Sequence, residues 1–221
     1  MTGETAEADG RSRGERYRAD GYVALPQFFP TAVLDAFYGR LAADLDLARN
    51  AARYAVNGPL LTKPAIEVYS HAYAPLAGFL WGLTPAVAAI AGCRLLPTYA
   101  YFRIYQQGDV CRVHGDRPAC EHSLSLTLQL DDDRPWALSV ERERRPGLDR
   151  VVQADFGEGA YGSVAMRAGD AVLYQGVHHR HGRLEPNPNR SSAHLFLHWV
   201  DADGAYAGEA FDQPTLQGAQ R

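Results

Sequence analysis

The sequence predicts one mostly β domain, a sandwich or small barrel, with a few helices ahead of it. Three observations predict this. Composition lies near the globular average over 221 residues, at 46% hydrophobic and 22% charged. Helical periodicity is confined to the chain before about residue 92. From Leu95 onward the pattern changes to short β-rich runs separated by turn residues.

Met1 to about Arg18 is polar and lacks the apolar stretch of a signal peptide. Residues 1–18 are therefore expected to be disordered, with a single domain over 19–221. Tyr22-Val23-Ala24-Leu25 reads as a short strand. Pro30-Thr31 then opens a helix in which Val33, Leu34, Phe37, Leu41 and Leu45 recur at helical spacing. A second helical stretch, about Pro75 to Ile90, is interrupted at Thr84-Pro85, which predicts two helices or one kinked helix. These elements give helical support over about 30–92 and a β core over about 93–203.

Candidate strands are Tyr99–Tyr105, His122–Leu130, Trp136–Val140, Gly162–Met166, Ala171–Tyr174 and Ala193–Val200, with a Gly169-Asp170 turn before the fifth. In the second, Ser123, Ser125, Thr127 and Gln129 alternate with leucines, so its polar face meets either solvent or a polar pocket. The connection Glu141 to Tyr161 is long enough to be a lid over a site mouth, or a charged surface insertion.

Several classes are excluded. The net charge of −4 arises from scattered mixed signs with no basic stripe, so nucleic acid is not an expected partner. Pro75 to Leu96 is broken by glycines and Pro85 into pieces too short to cross a bilayer. Cys93, Cys111 and Cys120 have no CxxC spacing, which indicates neither a disulfide scaffold nor a cysteine zinc site and fits a reducing cytoplasm.

The chemistry concentrates around histidine. His114-Gly115-Asp116 places two metal ligands two residues apart, on one face of an extended backbone. A histidine-rich segment, His178-His179-Arg180-His181, follows a predicted strand downstream and offers a third. Two histidines and a carboxylate form the facial triad of non-haem Fe(II) oxygenases, which leaves positions open for a cosubstrate and dioxygen. Arg190, Ser192 and His194 share one strand face, where a guanidinium and a hydroxyl would grip a carboxylate. His122, His71 and His198 read as packed or surface histidines, and Trp136 and Trp199 as core.

From Tyr101 to Asp201 the segments YFRIY, HGDRPACEHSLSLTL, AGDAVLYQG, HGR and RSSAHLFLHWV resemble the Fe(II)/2-oxoglutarate-dependent dioxygenases, in particular the prolyl-4-hydroxylase-like branch. The resemblance covers roughly the C-terminal half. It implies a double-stranded β-helix, the cupin-like jelly roll, with iron held at one open end. It further implies that His114, Asp116 and His181 bind Fe(II), with His179 the alternative distal ligand and His178 a third. Arg190 would then pair with the far carboxylate of 2-oxoglutarate with support from Ser192, and Tyr105 and Arg103 are further candidates for cosubstrate contact.

The function so implied uses Fe(II), 2-oxoglutarate and O2 to hydroxylate an unactivated C–H bond of a small molecule, such as an amino acid or natural-product intermediate, releasing succinate and CO2. Asp116 argues against halogenation, in which a small residue replaces the carboxylate. Arg142, Arg144 and Arg145 would attract an anionic substrate or form a solvated charged loop. A cytoplasmic monomer or homodimer is expected. The rival readings are a cupin-type metalloenzyme that does not use 2-oxoglutarate and a non-catalytic jelly-roll binding module.

Overall fold

Ser12 opens a helix inside the stretch expected to be disordered. In the computed structural model, which describes residues 10–147 and 151–212, α1 spans Arg13–Asp20. The Ser12 hydroxyl accepts from the Glu15 N–H while the Glu15 carboxylate accepts from the Ser12 N–H, a reciprocal cap. Tyr17 explains why the helix docks: it is buried, with its hydroxyl 2.6 Å from His122 Nδ1. The expectation of disorder is corrected for residues 13–18, and residues 1–9 lie outside the described ones.

β1 (Tyr22–Leu25), α2 (Thr31–Asp44), α3 (Leu47–Asn50), β2 (Ala55–Val56), β3 (Ala65–Tyr69) and α4 (Pro75–Ala91) complete the N-terminal part. Helix α4 runs through Pro85 as one element. The Thr84 hydroxyl donates to the Leu80 carbonyl at 2.7 Å and accepts from the Trp199 indole N–H at 2.9 Å. With Leu76, Leu80 and Val87 all buried on one core, both halves stay on the sheet despite the bond the proline removes.

The β core contains β4 (Leu95–Gln106), β5 (Cys111–His114), β6 (His122–Leu130), β7 (Trp136–Glu141), β8 (Tyr161–Met166), β9 (Ala171–Tyr174), β10 (His181–Arg183) and β11 (Ser191–Asp201). They form two antiparallel sheets, one ordered β1-β9-β6-β11-β4-β3-β2 and the other β5-β10-β7-β8. This is the jelly roll, two sheets face to face with the site between them.

Strand alternation divides the large sheet into two chemistries. One face carries Ala100, Phe102, Leu124, Leu126, Leu128, Leu195, Leu197 and Trp199, which bury against Leu34 and Leu41 of α2 and against α4. The opposite face looks toward the small sheet and carries Ser123, Ser125, Thr127, Ser192, His194 and His198, all buried. The polar face of β6 therefore lines the interior and does not meet solvent.

The 141–161 connection is tied down beside β5. Gln153 and Val113 exchange both backbone hydrogen bonds, at 2.8 and 2.9 Å. Glu141, fully buried, receives Arg145 at 2.7 and 2.9 Å and Arg180 at 2.6 and 2.9 Å. Arg145 is thus committed to an ion pair, while Arg142 and Arg144 are exposed.

Candidate active site

The register of β5 against β10 sets His114 directly opposite His181. Asp116, two residues past His114, turns its carboxylate between them: Oδ1 lies 3.7 Å from His114 Nε2, and Oδ2 lies 3.6 Å from His181 Nε2. The three donor atoms fall within 4.8 Å of one another. Each ring is oriented from behind by its own backbone. His114 Nδ1 lies 2.9 Å from the Arg112 carbonyl and His181 Nδ1 lies 3.1 Å from the His179 carbonyl. A carbonyl only accepts, so Nδ1 carries the hydrogen in both and each Nε2 lone pair faces the centre.

Burial, with its neighbour His181, pushes the His114 imidazole down to about 4, and burial pushes His181 down to about 4 as well. Both rings are therefore neutral near pH 7, the form that ligates a metal. Burial raises the Asp116 carboxyl. The donor set fits a divalent first-row transition metal, two imidazoles and one carboxylate on one side. A Cβ on Gly176 would stand 2.2 Å from Asp116 Oδ2, so only glycine leaves room for the carboxylate there.

The other two histidines of the cluster face elsewhere. His179 donates from Nδ1 to the Glu141 carbonyl at 2.8 Å, and its ring fills the space above Gly21, which has φ +78°. His178 bonds the Arg145 carbonyl at 3.2 Å. Neither joins Asp116.

Arg190 does not reach the site. β11 begins at Ser191, so the alternation that turns Ser192 and His194 inward does not extend to Arg190. Its side chain is 70% exposed and paired with Asp132 at 3.1 Å. The buried guanidinium in the interior belongs instead to Arg183, two residues beyond His181 on the same face of β10. It lies 4.6 Å over the Trp136 ring, donates to the Trp136 carbonyl at 2.8 Å, and approaches His194 Nδ1 at 3.3 Å. Among the described residues no carboxylate pairs with it. Burying a guanidinium without an anion is costly, which marks the place for an anionic ligand.

Among the described residues, two buried atoms on the inward face of β11 have no hydrogen-bond partner, Ser192 Oγ and His194 Nε2. Because Arg183 can only donate to Nδ1, the His194 hydrogen sits on Nε2 as an unused donor. Tyr105 sits opposite Ser192 in the register and stands edge-on to Trp136 at 4.9 Å. Arg103 donates to the Tyr105 hydroxyl at 2.9 Å but is held in a buried ion pair by Glu67. Of the residues singled out in the sequence, His114, Asp116 and His181 come together at one end, and Ser192 and Tyr105 line the interior. Arg103 is satisfied within the protein.

His198 was read as a packed histidine, yet it faces the interior next to the triad. Its Nδ1 lies 2.9 Å from Ser123 Oγ, which in turn lies 3.3 Å from Asp116 Oδ2. Arg183 carried a signal of its own: His181-x-Arg183 has the same two-residue spacing as His114-x-Asp116.

Comparison with solved structures shows where the same fold occurs. The carbocyclase SnoK from nogalamycin biosynthesis, described as non-haem and α-ketoglutarate dependent, superposes with TM-score 0.70 at 17% identity, over 99% of this chain and 94% of that one. A prolyl-4-hydroxylase from Pseudomonas putida matches at TM-score 0.55 and 18% identity, over 84% and 96%. HygX from Streptomyces hygroscopicus, with nickel and 2-oxoglutarate bound, matches at TM-score 0.61 and 13% identity, over 89% of each chain. The chain has the fold of these oxygenases. At the level of sequence, no family model and no curated protein matches it.

Proposed function

We propose that the protein is a non-haem Fe(II)- and 2-oxoglutarate-dependent oxygenase that hydroxylates an unactivated C–H bond of a small molecule, with release of succinate and CO2. The observation that carries this reading is the pairing of two features on one strand. β10 presents His181 to a two-histidine, one-carboxylate triad and, two residues on, Arg183 as a buried cation with no anion paired to it among the described residues. At a rise of about 3.3 Å per residue the two side chains leave the strand about 6.6 Å apart. That separation suits a short dicarboxylate gripped at one end by the metal and at the other by arginine.

In this reading His114, Asp116 and His181 hold Fe(II), with both rings fixed in the ligating tautomer by the carbonyls behind them. Arg183 holds the far carboxylate of 2-oxoglutarate, with the His194 Nε2–H and the Ser192 hydroxyl as additional donors and Tyr105 and Trp136 as walls. Arg103 supports Tyr105 from behind and is not the anchor. The iron, cosubstrate and O2 supply the oxidising chemistry, while the protein orients the target carbon and keeps bulk water from the buried cradle. Asp116 fills the carboxylate position, which supports hydroxylation over halogenation. HygX is also known with hygromycin B bound, and a small-molecule substrate is proposed here by analogy.

The test is anaerobic addition of Fe(II) and 2-oxoglutarate to the metal-free protein, following the weak visible charge-transfer band of the chelate. The band is expected in the native protein and absent in His114→Ala and His181→Ala. Folded protein that binds metal but gives no band would replace this reading with that of a cupin-type metalloenzyme without 2-oxoglutarate.

A further inference from the structure

On the same inward side as the metal triad, β3, β4 and β11 carry a continuous row of rings. Tyr101 is central: it stacks on Tyr69 at 5.2 Å and 24°, on Tyr99 at 6.1 Å and 14°, on Phe196 at 4.7 Å and 16°, and on His198 at 5.8 Å and 19°. Tyr69 continues the row to His71 at 5.7 Å and 19°. These spacings are those of offset stacking, and the planes around Tyr101 share nearly one orientation. The row also grades in burial. His198, beside Asp116, is 3% exposed, Tyr99, Tyr101 and Tyr69 are half-buried, and His71 is exposed. It therefore runs from the metal ligands to the surface, as the wall of an approach would.

The charges along this wall are already paired. Glu67 takes Arg103 and accepts the Tyr69 hydroxyl at 2.9 Å, and Arg117, 4.3 Å over the Tyr99 ring, is paired with Asp212 at 2.7 Å. Among the described residues, a zwitterionic amino acid would find no unpaired charge here to match its ammonium group. At the inner end, His198 Nε2 is buried and has no hydrogen-bond partner among the described residues. The Ser123 hydroxyl lies 2.9 Å from His198 Nδ1, 3.2 Å from the Cys120 carbonyl and 3.3 Å from Asp116 Oδ2, so Nδ1 is already engaged. Nε2 is the ring nitrogen left for a hydrogen bond to a guest.

We propose that the substrate is a flat, uncharged aromatic molecule bearing a hydroxyl, aligned along the Tyr69–Tyr101–Tyr99 wall with the hydroxyl hydrogen-bonded to His198 Nε2. This inference rests on the oxygenase reading above and narrows its substrate class. A planar guest continues the shared ring orientation, whereas a puckered one of the same size cannot.

The probes are 2-naphthol, its saturated counterpart decahydro-2-naphthol, and L-proline, each titrated calorimetrically into protein loaded with Mn(II) and 2-oxoglutarate. 2-Naphthol is expected to bind at least tenfold more tightly than either of the others. Tyr101→Leu should remove at least tenfold of that affinity and Tyr101→Phe should retain it, with Tyr99→Leu as the second variant should Tyr101→Leu not fold. Absent binding of 2-naphthol, equal binding of the saturated alcohol, or tighter binding of proline would overturn the proposal. Mn(II) and 2-oxoglutarate binding, measured separately on the same samples, tells that failure apart from a failure of the oxygenase reading.

Discussion

Arg183 sits over Trp136 with no carboxylate paired to it among the described residues, while Arg190 is exposed and held by Asp132. Replacing Arg183 by Ala should weaken 2-oxoglutarate binding to the Mn(II)-loaded protein about 10- to 150-fold, the equivalent of about 1.5–3 kcal/mol for a charge-assisted contact. Arg190→Ala should leave that affinity within about twofold, because an exposed ion pair far from the ligand contributes little. Calorimetric titration of both variants decides between the two anchors. Gly176→Ala would drive a methyl group into Asp116 Oδ2, so metal affinity should fall about tenfold or more while far-UV circular dichroism is retained. At this scale the HxD pair was legible because two-residue spacing is a strand signal. Arg190 misled because the same alternation was carried past the first residue of β11, where the chain no longer holds strand geometry. Arg183 needed only that alternation applied to His181.

Among the elements, β6 was readable to the residue, since Ser123, Ser125, Thr127 and Gln129 alternating with leucines have one interpretation as a strand. Which face was core was not readable, because both faces are buried and only the partner sheets distinguish them. β5 and β10, at four and three residues, carry the two histidines of the triad yet are too short for periodicity to register. Helix α1 escaped for a different reason: its mean polarity is high, and a single buried Tyr17 with a capping box holds it. The Glu141 cluster fastens the 141–161 connection to Arg180, the residue immediately before β10 and His181. Glu141→Ala would leave the buried Arg180 without its anion and should cost about 3–5 kcal/mol, measured by urea unfolding. A change below 1 kcal/mol would mean that solvent reaches Arg180.

For the molecule as a whole, acid sensitivity follows from buried imidazoles. Burial lowers His114, His122 and His181 to about 4 and His198 to about 3, against an ordinary value of 6.5. The unfolded chain takes up these protons near 6.5 and the folded chain only near 4, so stability falls as pH drops through that window. Asp116 and Glu121, raised by burial, work in the opposite direction, while burial lowers His178, His179 and His194 as well. Burial alone would raise Glu141, but its bonds to Arg145 and Arg180 prevail and hold it at about 2. Its contribution is present above 4.5 and is lost as pH falls toward 2. Urea midpoints of the metal-free protein should thus decline steadily from pH 7 to pH 4, and a flat profile would show that these histidines are hydrated in solution.

The segment from Tyr17 to Gly21 has a role beyond packing. Gly21 accepts the Gln175 N–H at 2.9 Å, the Tyr17 carbonyl accepts the Gln175 side-chain amide at 3.3 Å, and Gly21 presses on the His179 ring. These contacts brace the turn that delivers both Gly176 and His181 to the centre. Residues 17–21 and the candidate metal site are therefore coupled across some 155 positions of sequence. Proteolytic trimming to Tyr22 should lower the affinity for added Fe(II) before it melts the sheets, so the metal that a stored preparation retains would report on whether this segment is still intact.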